Sequence, residues 1–515
     1  MRSAVWADGW RLAVLVAVAA GLHAWLVPQT TVPARDGVVF ARAAYRFDRA
    51  LAGGEETPLG VVRTTEHPPG YPLAVCGVAR LTGLSKGTDP PADYLLAAQI
   101  ANAAAGVLLV LPCYLIGRQA FGRNVGFAAA LIFQVLPVPA RVTADALSEG
   151  PFLLMVASAV AFAVRAAAQP RAGWFLACGL ATGAAYLVRP EGLLAAGPPV
   201  LLTLAGVVRG RVPPASGAVR VAAVLVGVAV FAGPYITAIG RLTNKPTGVE
   251  LQRPLDARRP AHAGPLFAAW ADPNDSGPQR VAWAAKALLS EVGKGTHYGV
   301  GVLALVAVAV LWRWNANNPG WRVLLLAGGL SAALLAYLAV RRGYLSERHT
   351  VLLALVACQL TAALLPVWAE WAGRILRPLG RLGRRWTAAG LLALLVLSAV
   401  PVAVRSHHTR DGHKSAGRWL GEHAATADRV IDPYTLAEWY AGRSLTQPGD
   451  WTPDLPAVTF VVLENTPTPP ESPVPMLKWA RDVVGRPGAE VVWHWPEDAP
   501  RDNAKLNVWR VPTGR

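Results

Sequence analysis

The sequence predicts an all-α polytopic membrane domain of about eleven transmembrane helices, followed by a small soluble α/β domain. Three observations carry this expectation. Of the 515 residues, 53% are hydrophobic and only 16% charged, against about 25% charged in a soluble domain. Several alanine-, leucine- and valine-rich runs reach the roughly 18 to 20 residues that cross a bilayer as a helix. Beyond residue 404 these runs stop, and short strand-like and helix-like segments alternate, the pattern of a layered α/β unit.

The apolar runs place spans at 10–27, 94–116, 123–140, 150–168, 172–188, 191–208, 219–239, 298–313, 321–340, 348–366 and 387–404. No small-residue cleavage site follows the first run, which reads as a retained helix rather than a removed signal peptide. The two spans at 172–188 and 191–208 are short and joined by Arg189-Pro190-Glu191; proline is compatible with a helix start. The four cysteines, Cys76, Cys113, Cys178 and Cys358, lie in apolar runs without a close pair. They read as small buried hydrophobes, not as a disulfide framework or a metal site.

The net charge of +17 is mostly arginine in short loops, where the positive-inside bias puts it. Nucleic-acid binding is disfavoured, because neither zinc-finger spacing nor an aromatic-basic RNA motif is present. With the N-terminus in the cytoplasm, the same side receives Arg118, Arg123, Arg165, Arg171, Arg209, Arg211, Arg220, Arg313 and Arg322. It also receives the group Arg374, Arg377, Arg381, Arg384 and Arg385. The expected location is the cell (inner) membrane. A transmembrane domain spans 1–404, with large extracytoplasmic loops at 28–93 and 240–297, and a soluble domain at 405–515 lies on that same outer side. Asp36, Glu55, Glu56, Glu66, Asp145, Glu149 and Glu191 then all face outside.

In the tail, 415–426 and 433–442 are helix-like, and 428–432, 457–463, 489–494 and 506–511 are strand-like. The Pro- and Thr-rich stretch 464–475 reads as loop.

The first outer loop is the richest in chemistry. Residues 38–52 have the periodicity of an amphipathic helix lying on the membrane surface, with Asp36 at its start; the plainer alternative for Asp36 is a helix cap. Glu66-His67-Pro68-Pro69 follows. The prolines hold His67 extended, which keeps polar groups at the bilayer surface or simply makes a turn. Further on, Asp145 and Glu149 share a face if their turn is helical, and such a pair can bind a divalent cation; Ser148 is a candidate N-cap. In the late loop, Arg341-Arg342-Gly343-Tyr344-Leu345-Ser346-Glu347-Arg348-His349 carries arginines on the side where topology does not ask for them. A helix N-terminus with arginine suits an anion. Arg189, Lys294 and His297 are further candidates on that face.

Asp36 with Glu66-His67-Pro68-Pro69, then 145–155 (DALSEGPFLLM), then 179–194 (GLATGAAYLVRPEGLL), with 341–350 agreeing, together resemble bacterial membrane glycosyltransferases of the GT-C superfamily. The relatives are those around aminoarabinose transferase and the protein O-mannosyltransferases, families 39 and 83. The resemblance covers about residues 10–400 and is more specific in motif order than in individual residues. It implies a polytopic fold with a large first loop bearing acidic active-site residues, and a sugar donor on a polyprenyl phosphate. Asp36 matches the first-loop acid, and Glu66 the acid before the basic-proline segment. His67 stands where lysine is common, and Gly37 where many relatives have a second acid.

The expected reaction is therefore transfer of a sugar to a lipid, glycan or protein acceptor, with inversion. Asp36 is the first candidate base and Glu66 the second. His67, Arg189, Arg342, Tyr344, Arg348 and His349 would bind the donor, and Asp145 and Glu149 are the metal candidates. A transporter or flippase of lipid-linked sugars is the main alternative. It calls for ionisable groups at mid-membrane and for repeated halves, neither of which the spans display. A non-catalytic sensor would leave the outer acids unexplained.

Overall fold

In lipid, backbone polar groups must be satisfied within the segment, which restricts uncharged runs of this kind to helices. The computed structural model, which describes residues 2–245, 269–271, 276–375, 380–405, 410–446, 458–465 and 475–512, is accordingly helical along its apolar runs.

Helix α1 (Arg2–Gln29) is followed by three helices outside the apolar runs: α2 (Arg35–Leu51), α3 (Pro58–Thr64) and α4 (Gly70–Thr82). Helix α2 is the expected amphipathic one. It buries Val38, Phe40, Ala41, Ala44 and Phe47, a stripe at helical spacing. Thr57 caps α3 by accepting from the Gly60 N–H, and Pro58 occupies its first position. Helices α5 (Pro90–Leu108) and α6 (Val110–Phe121) form one continuous 32-residue span. The span expected at 123–140 is broken. Helices α7 (Arg123–Val135) and α8 (Pro137–Ala144) meet at 65°, where Pro137 removes a backbone donor.

Next come α9 (Glu149–Ala168), α10 (Ala172–Val188), a 3-10 turn (Pro190–Ala196), α11 (Gly197–Val208) and α12 (Pro214–Ile239). Helices α10 and α12 cross backbone to backbone. A Cβ on Gly179 would lie 2.2 Å from the Val224 carbonyl oxygen, and one on Gly227 2.6 Å from that of Leu176, so only glycine permits this approach. Helices α13 (Gly277–Gly295) and α14 (Gly299–Asn315) are bent by 107° at His297 and Tyr298, both with positive φ. Helix α15 (Pro319–Arg342) is capped by Asn318. Strand β1 (Ala269–Trp270) pairs antiparallel with β2 (Tyr344–Leu345). A 3-10 turn (Glu347–Thr350) then leads into α16 (Val351–Ile375), and α17 (Gly380–Ala403) follows.

Among the described residues, seven helices are long and apolar enough to cross a membrane, or nine if each bent pair is one span. The remaining segments expected to span, 172–188 and 387–404, are present as shorter apolar helices. All four cysteines are buried and free. At one end of the bundle Asp8 binds Arg118 at 2.9 Å and Arg123 at 3.0 Å and accepts from the Tyr114 hydroxyl.

The C-terminal unit contains α18 (Asp411–His423), β3 (Arg429–Ile431), α19 (Leu436–Tyr440), β4 (Val458–Glu464), α20 (Pro475–Val484), β5 (Glu490–Trp495) and β6 (Leu506–Pro512). The sheet order is β3-β4-β6-β5, parallel between β3 and β4 and antiparallel elsewhere. Successive side chains of β4 point to opposite faces. Phe460 and Val462 pack with Leu420 of α18, while Val461 and Leu463 pack with Leu477 and Ala480 of α20. Strands and first helix fall close to their expected places, α19 is shorter than 433–442, and α20 was not anticipated. Most of the loop expected at 464–475 lies outside the described residues. Segment 410–444 docks on the helical domain: Trp439 Nε1 donates to the Pro91 carbonyl (2.9 Å) and Arg42 Nε to that of Ser444 (2.6 Å).

Candidate active site

The first turn of α2 lacks a capping side chain of its own, because Ala34 occupies the N-cap. The N-cap residue itself is held from the α8–α9 connection, where Asp145 Oδ1 accepts from the N–H groups of Ala34 and Ala146, each at 2.7 Å. Asp36 makes no capping bond. Its Oδ2 lies 2.6 Å from Nη2 of Arg348, with the carboxylate side chain 45% accessible and the guanidinium side chain 19%. Burial raises the Asp36 carboxyl, but the charge and hydrogen bond of Arg348 outweigh it and hold the group well below the usual carboxylate range. Gly37 makes this docking possible. A Cβ there would stand 2.8 Å from both Cβ and O of Ala146, so any larger residue would push the two segments apart.

Phe40, one turn along the same helix face, packs on His67 with ring centroids 4.9 Å apart, and on Tyr71 at the same distance. Burial first, then the charge of Lys245, pushes His67 down to about 4; Arg189 adds to this, while Asp36 and Glu191 oppose it. Three residues on, Gly70 lies so close to α10 that a Cβ would be 2.6 Å from the Leu187 carbonyl. That contact carries the His-Pro-Pro segment to the end of α10, where Arg189 begins the next connection.

Arg189 Nη1 binds Glu149 Oε1 at 2.8 Å, and its guanidinium lies 5.5 Å from the Phe152 ring centroid. Glu149 is only 2% accessible. Glu191 binds Lys245 at 2.5 Å. The segment that carries Lys245 is anchored by Asn244, whose Nδ2 donates to the carbonyls of Arg63 and Thr65. Burial pulls Lys245 below its ordinary value, with Glu191 counteracting. From the late loop, Arg342 Nη1 donates to the Tyr344 hydroxyl at 2.5 Å. His349 Nδ1 accepts from the Ser346 N–H at 3.3 Å, leaving Nε2 to carry the proton in the neutral ring. The rings of Tyr344 and His349 are 6.0 Å apart.

Asp36, His67, Glu149, Arg189, Glu191, Lys245, Arg342, Tyr344, Arg348 and His349 thereby form one electrostatically linked cluster. A guanidinium has five N–H donors, so an arginine held by one carboxylate oxygen retains donors for a phosphate. Several expected residues take other places. Glu66 is exposed, and its charge acts on Arg42 of α2. Lys294 closes on Glu291 of its own helix at 2.6 Å, and His297 forms the α13–α14 bend. The metal candidates are otherwise engaged. Asp145 binds two backbone N–H groups and lies 3.6 Å from Arg410, and Glu149 binds Arg189. Carboxylates already matched by guanidinium groups do not fit a divalent cation, and among the described residues no group of three His, Cys, Asp or Glu is placed to hold one. Ser148 does stand at the N-cap of α9, but its side chain makes no cap bond. Sequence reasoning missed Lys245. A lone lysine in a long loop carries no local signal.

A family model described as dolichyl-phosphate-mannose-protein mannosyltransferase matches residues 66–236. No curated protein matches the sequence significantly. In fold the chain is similar to ArnT from Cupriavidus metallidurans in the apo state, with a TM-score of 0.59, 14% identity and 98% of each chain covered. It is also similar to ArnT bound to undecaprenyl phosphate, with a TM-score of 0.57, 14% identity and the same coverage. It is similar as well to the archaeal oligosaccharyltransferase AglB from Archaeoglobus fulgidus in complex with an inhibitory peptide and a dolichol-phosphate. There the TM-score is 0.54 and the identity 13%, over 86% of this chain but only 61% of that one. The family model thus covers less than half of the chain, and the solved structures show a shared fold.

Proposed function

We propose that this chain is an inverting glycosyltransferase that moves a sugar from a polyprenyl-phosphate donor to a lipid, glycan or protein acceptor at the extracytoplasmic face of the cell membrane. In this reading residues 1–404 form the catalytic membrane domain and 405–515 an outer soluble domain. The observation that carries it is the meeting of Asp36 and Arg348 at 2.6 Å, one from the first outer loop and one from the last, amid further cations of which Lys245 is buried. The ArnT structure with undecaprenyl phosphate and the AglB structure with dolichol-phosphate support the donor class. Sidedness is supported by the positive-inside bias, since Arg118 and Arg123 gather around Asp8 at the other end of the bundle.

Chemically, an acceptor hydroxyl is a poor nucleophile, and a carboxylate within hydrogen-bond reach can take its proton during attack. Asp36, nearly half accessible, is the base. As the acceptor oxygen bonds to the anomeric carbon, the bond from that carbon to the phosphate oxygen breaks, and the polyprenyl phosphate leaves with the electron pair. Charge grows on that phosphate, and preorganised donors stabilise it most effectively where water is excluded; Arg348, Arg189, Lys245 and Arg342 supply them. Phosphate competes with Asp36 for Arg348, so donor binding frees the carboxylate and raises its basicity.

The test is transfer of labelled sugar from a panel of polyprenyl-phosphate donors by membranes containing the wild-type chain or Asp36→Asn. Loss of a general base lowers the rate by about 10² to 10⁴. A wild-type chain inert with every donor, or a near-normal Asp36→Asn, refutes the reading.

A further inference from the structure

Asn102 stands within α5, fully buried, and none of the chemistry above uses it. An amide in an apolar interior is costly unless its donors and acceptor are matched. Its Nδ2 donates to the carbonyls of Val142 (2.7 Å) and Asp145 (2.8 Å), and its Oδ1 accepts from the Gly150 N–H (2.6 Å). These three partners bracket the α8–α9 connection. Helix N-termini leave N–H groups without intrahelical partners. In α9, where Ser148 makes no cap bond, the acceptor comes from this other helix. Contact is close enough that a Cβ on Gly150 would fall 2.4 Å from Asn102 Oδ1 and 2.5 Å from its backbone oxygen.

The connection held in this way carries two acids with different tasks. Asp145 binds the Ala34 N–H and so sets the first turn of α2, which bears Asp36. Glu149 binds Arg189. We infer that Asn102 is a positioning residue. By clamping both ends of the α8–α9 connection it aligns the base through Asp145 and the donor-binding arginine through Glu149, touching neither the substrate nor the reacting atoms. This deepens the transferase reading and rests on it.

The experiment uses the full chain in detergent, with Asn102→Ala, Gly150→Ala, Glu149→Gln and the Asn102→Ala/Glu149→Gln double variant. It measures kcat and donor KM for labelled sugar transfer, affinity for undecaprenyl phosphate by thermal shift, and the unliganded thermal midpoint. Asn102→Ala is expected to lower kcat and to weaken donor KM and undecaprenyl-phosphate affinity by about tenfold, a change typical of lost coupling within one network. Gly150→Ala, which pushes on the same contact from the other side, gives the same pattern and decides the matter if Asn102→Ala does not fold. In the Glu149→Gln background the Asn102 change adds less than about twofold to the loss of affinity. Unchanged donor KM and phosphate affinity with a lower kcat mark a loss of folded protein alone and overturn the inference, as does full additivity. A wild-type chain that binds undecaprenyl phosphate but transfers nothing defeats the transferase reading, and the affinities still judge Asn102. A wild-type chain that does neither defeats both.

Discussion

Arg348 Nη2 reaches Oδ2 of Asp36 at 2.6 Å, so the guanidinium of the late loop is the direct partner of the first-loop carboxylate. With the pair intact Asp36 is held well below the usual carboxylate range. Without Arg348 the opposing burial is countered only by the weaker influence of His67 and Arg35, and the carboxyl rises. Arg348→Ala should therefore move the acid limb of the pH–rate profile to higher pH and raise donor KM by about tenfold or more, the loss of a charge-assisted contact of about 1.5–3 kcal/mol. Arg348→Lys should recover part of both. Steady-state kinetics across pH check this; an acid limb that stays put in Arg348→Ala separates Asp36 from catalysis.

Glu149 and Arg189 form a buried pair at 2.8 Å. Removing one partner of such a pair strands a charge and costs about 3–5 kcal/mol. Glu149→Gln should lower the thermal midpoint and weaken donor binding. The double variant Glu149→Gln/Arg189→Gln should regain much of the stability but none of the donor affinity. Thermal melts together with donor titration distinguish the two effects, and recovery of both would remove Arg189 from the donor site.

Gly37 has no room for a side chain against Ala146. Gly37→Ala should cost about 1–3 kcal/mol, the usual range for overpacking, and should lower transfer by displacing Asp36. Adding Ala146→Gly relieves the Cβ contact but not the carbonyl one, so rescue should be partial. Transfer rates of the single and double variants measure this, and a fully active Gly37→Ala would show that the α2 docking tolerates a shift.

His67 lies near 4, below its ordinary 6.5. Between those values the unfolded chain binds a proton that the folded chain does not, so stability rises with pH in this window and is lost as pH falls through it. His67→Gln should flatten that part of the stability profile. Thermal midpoints of wild type and variant from pH 6.5 to 4 provide the comparison; parallel curves would mean that His67 does not titrate there.

Asp8 ties α1 to Arg118 and Arg123 at the opposite end of the bundle. Partly exposed pairs of this kind contribute about 0–1 kcal/mol each. Asp8→Asn should lower the thermal midpoint by about 2 °C and leave transfer per folded molecule unchanged. A change in donor KM would contradict the separation of this network from the site.

Much of the helical architecture was legible because an uncharged run in lipid has one backbone solution. The tail strands were legible too, since 457–463 is a continuous apolar run bounded by turn residues, and its counterpart β4 is covered on both faces. The breaks were harder. Pro137 splits one expected span, and the α13–α14 bend turns on positive φ at His297 and Tyr298, a conformation that histidine and tyrosine do not advertise. In the candidate site, Asp36, His67, Arg189, Arg342, Tyr344, Arg348 and His349 could be nominated from their loops. Asn102 and Lys245 could not, because each matters only through partners far along the chain.

The sequence by itself determined which segments are apolar enough to enter lipid, through hydrophobic length, and which loops gather the charged groups. The pairing of those charges was decided only by the tertiary structure. Asp145 and Glu149 could be read as metal ligands or as parts of a solvated, capped loop until the fold brought the Ala34 N–H to one and Arg189 to the other. A carboxylate's role depends on what lies within about 3 Å of its oxygens, and only packing brings distant segments that close.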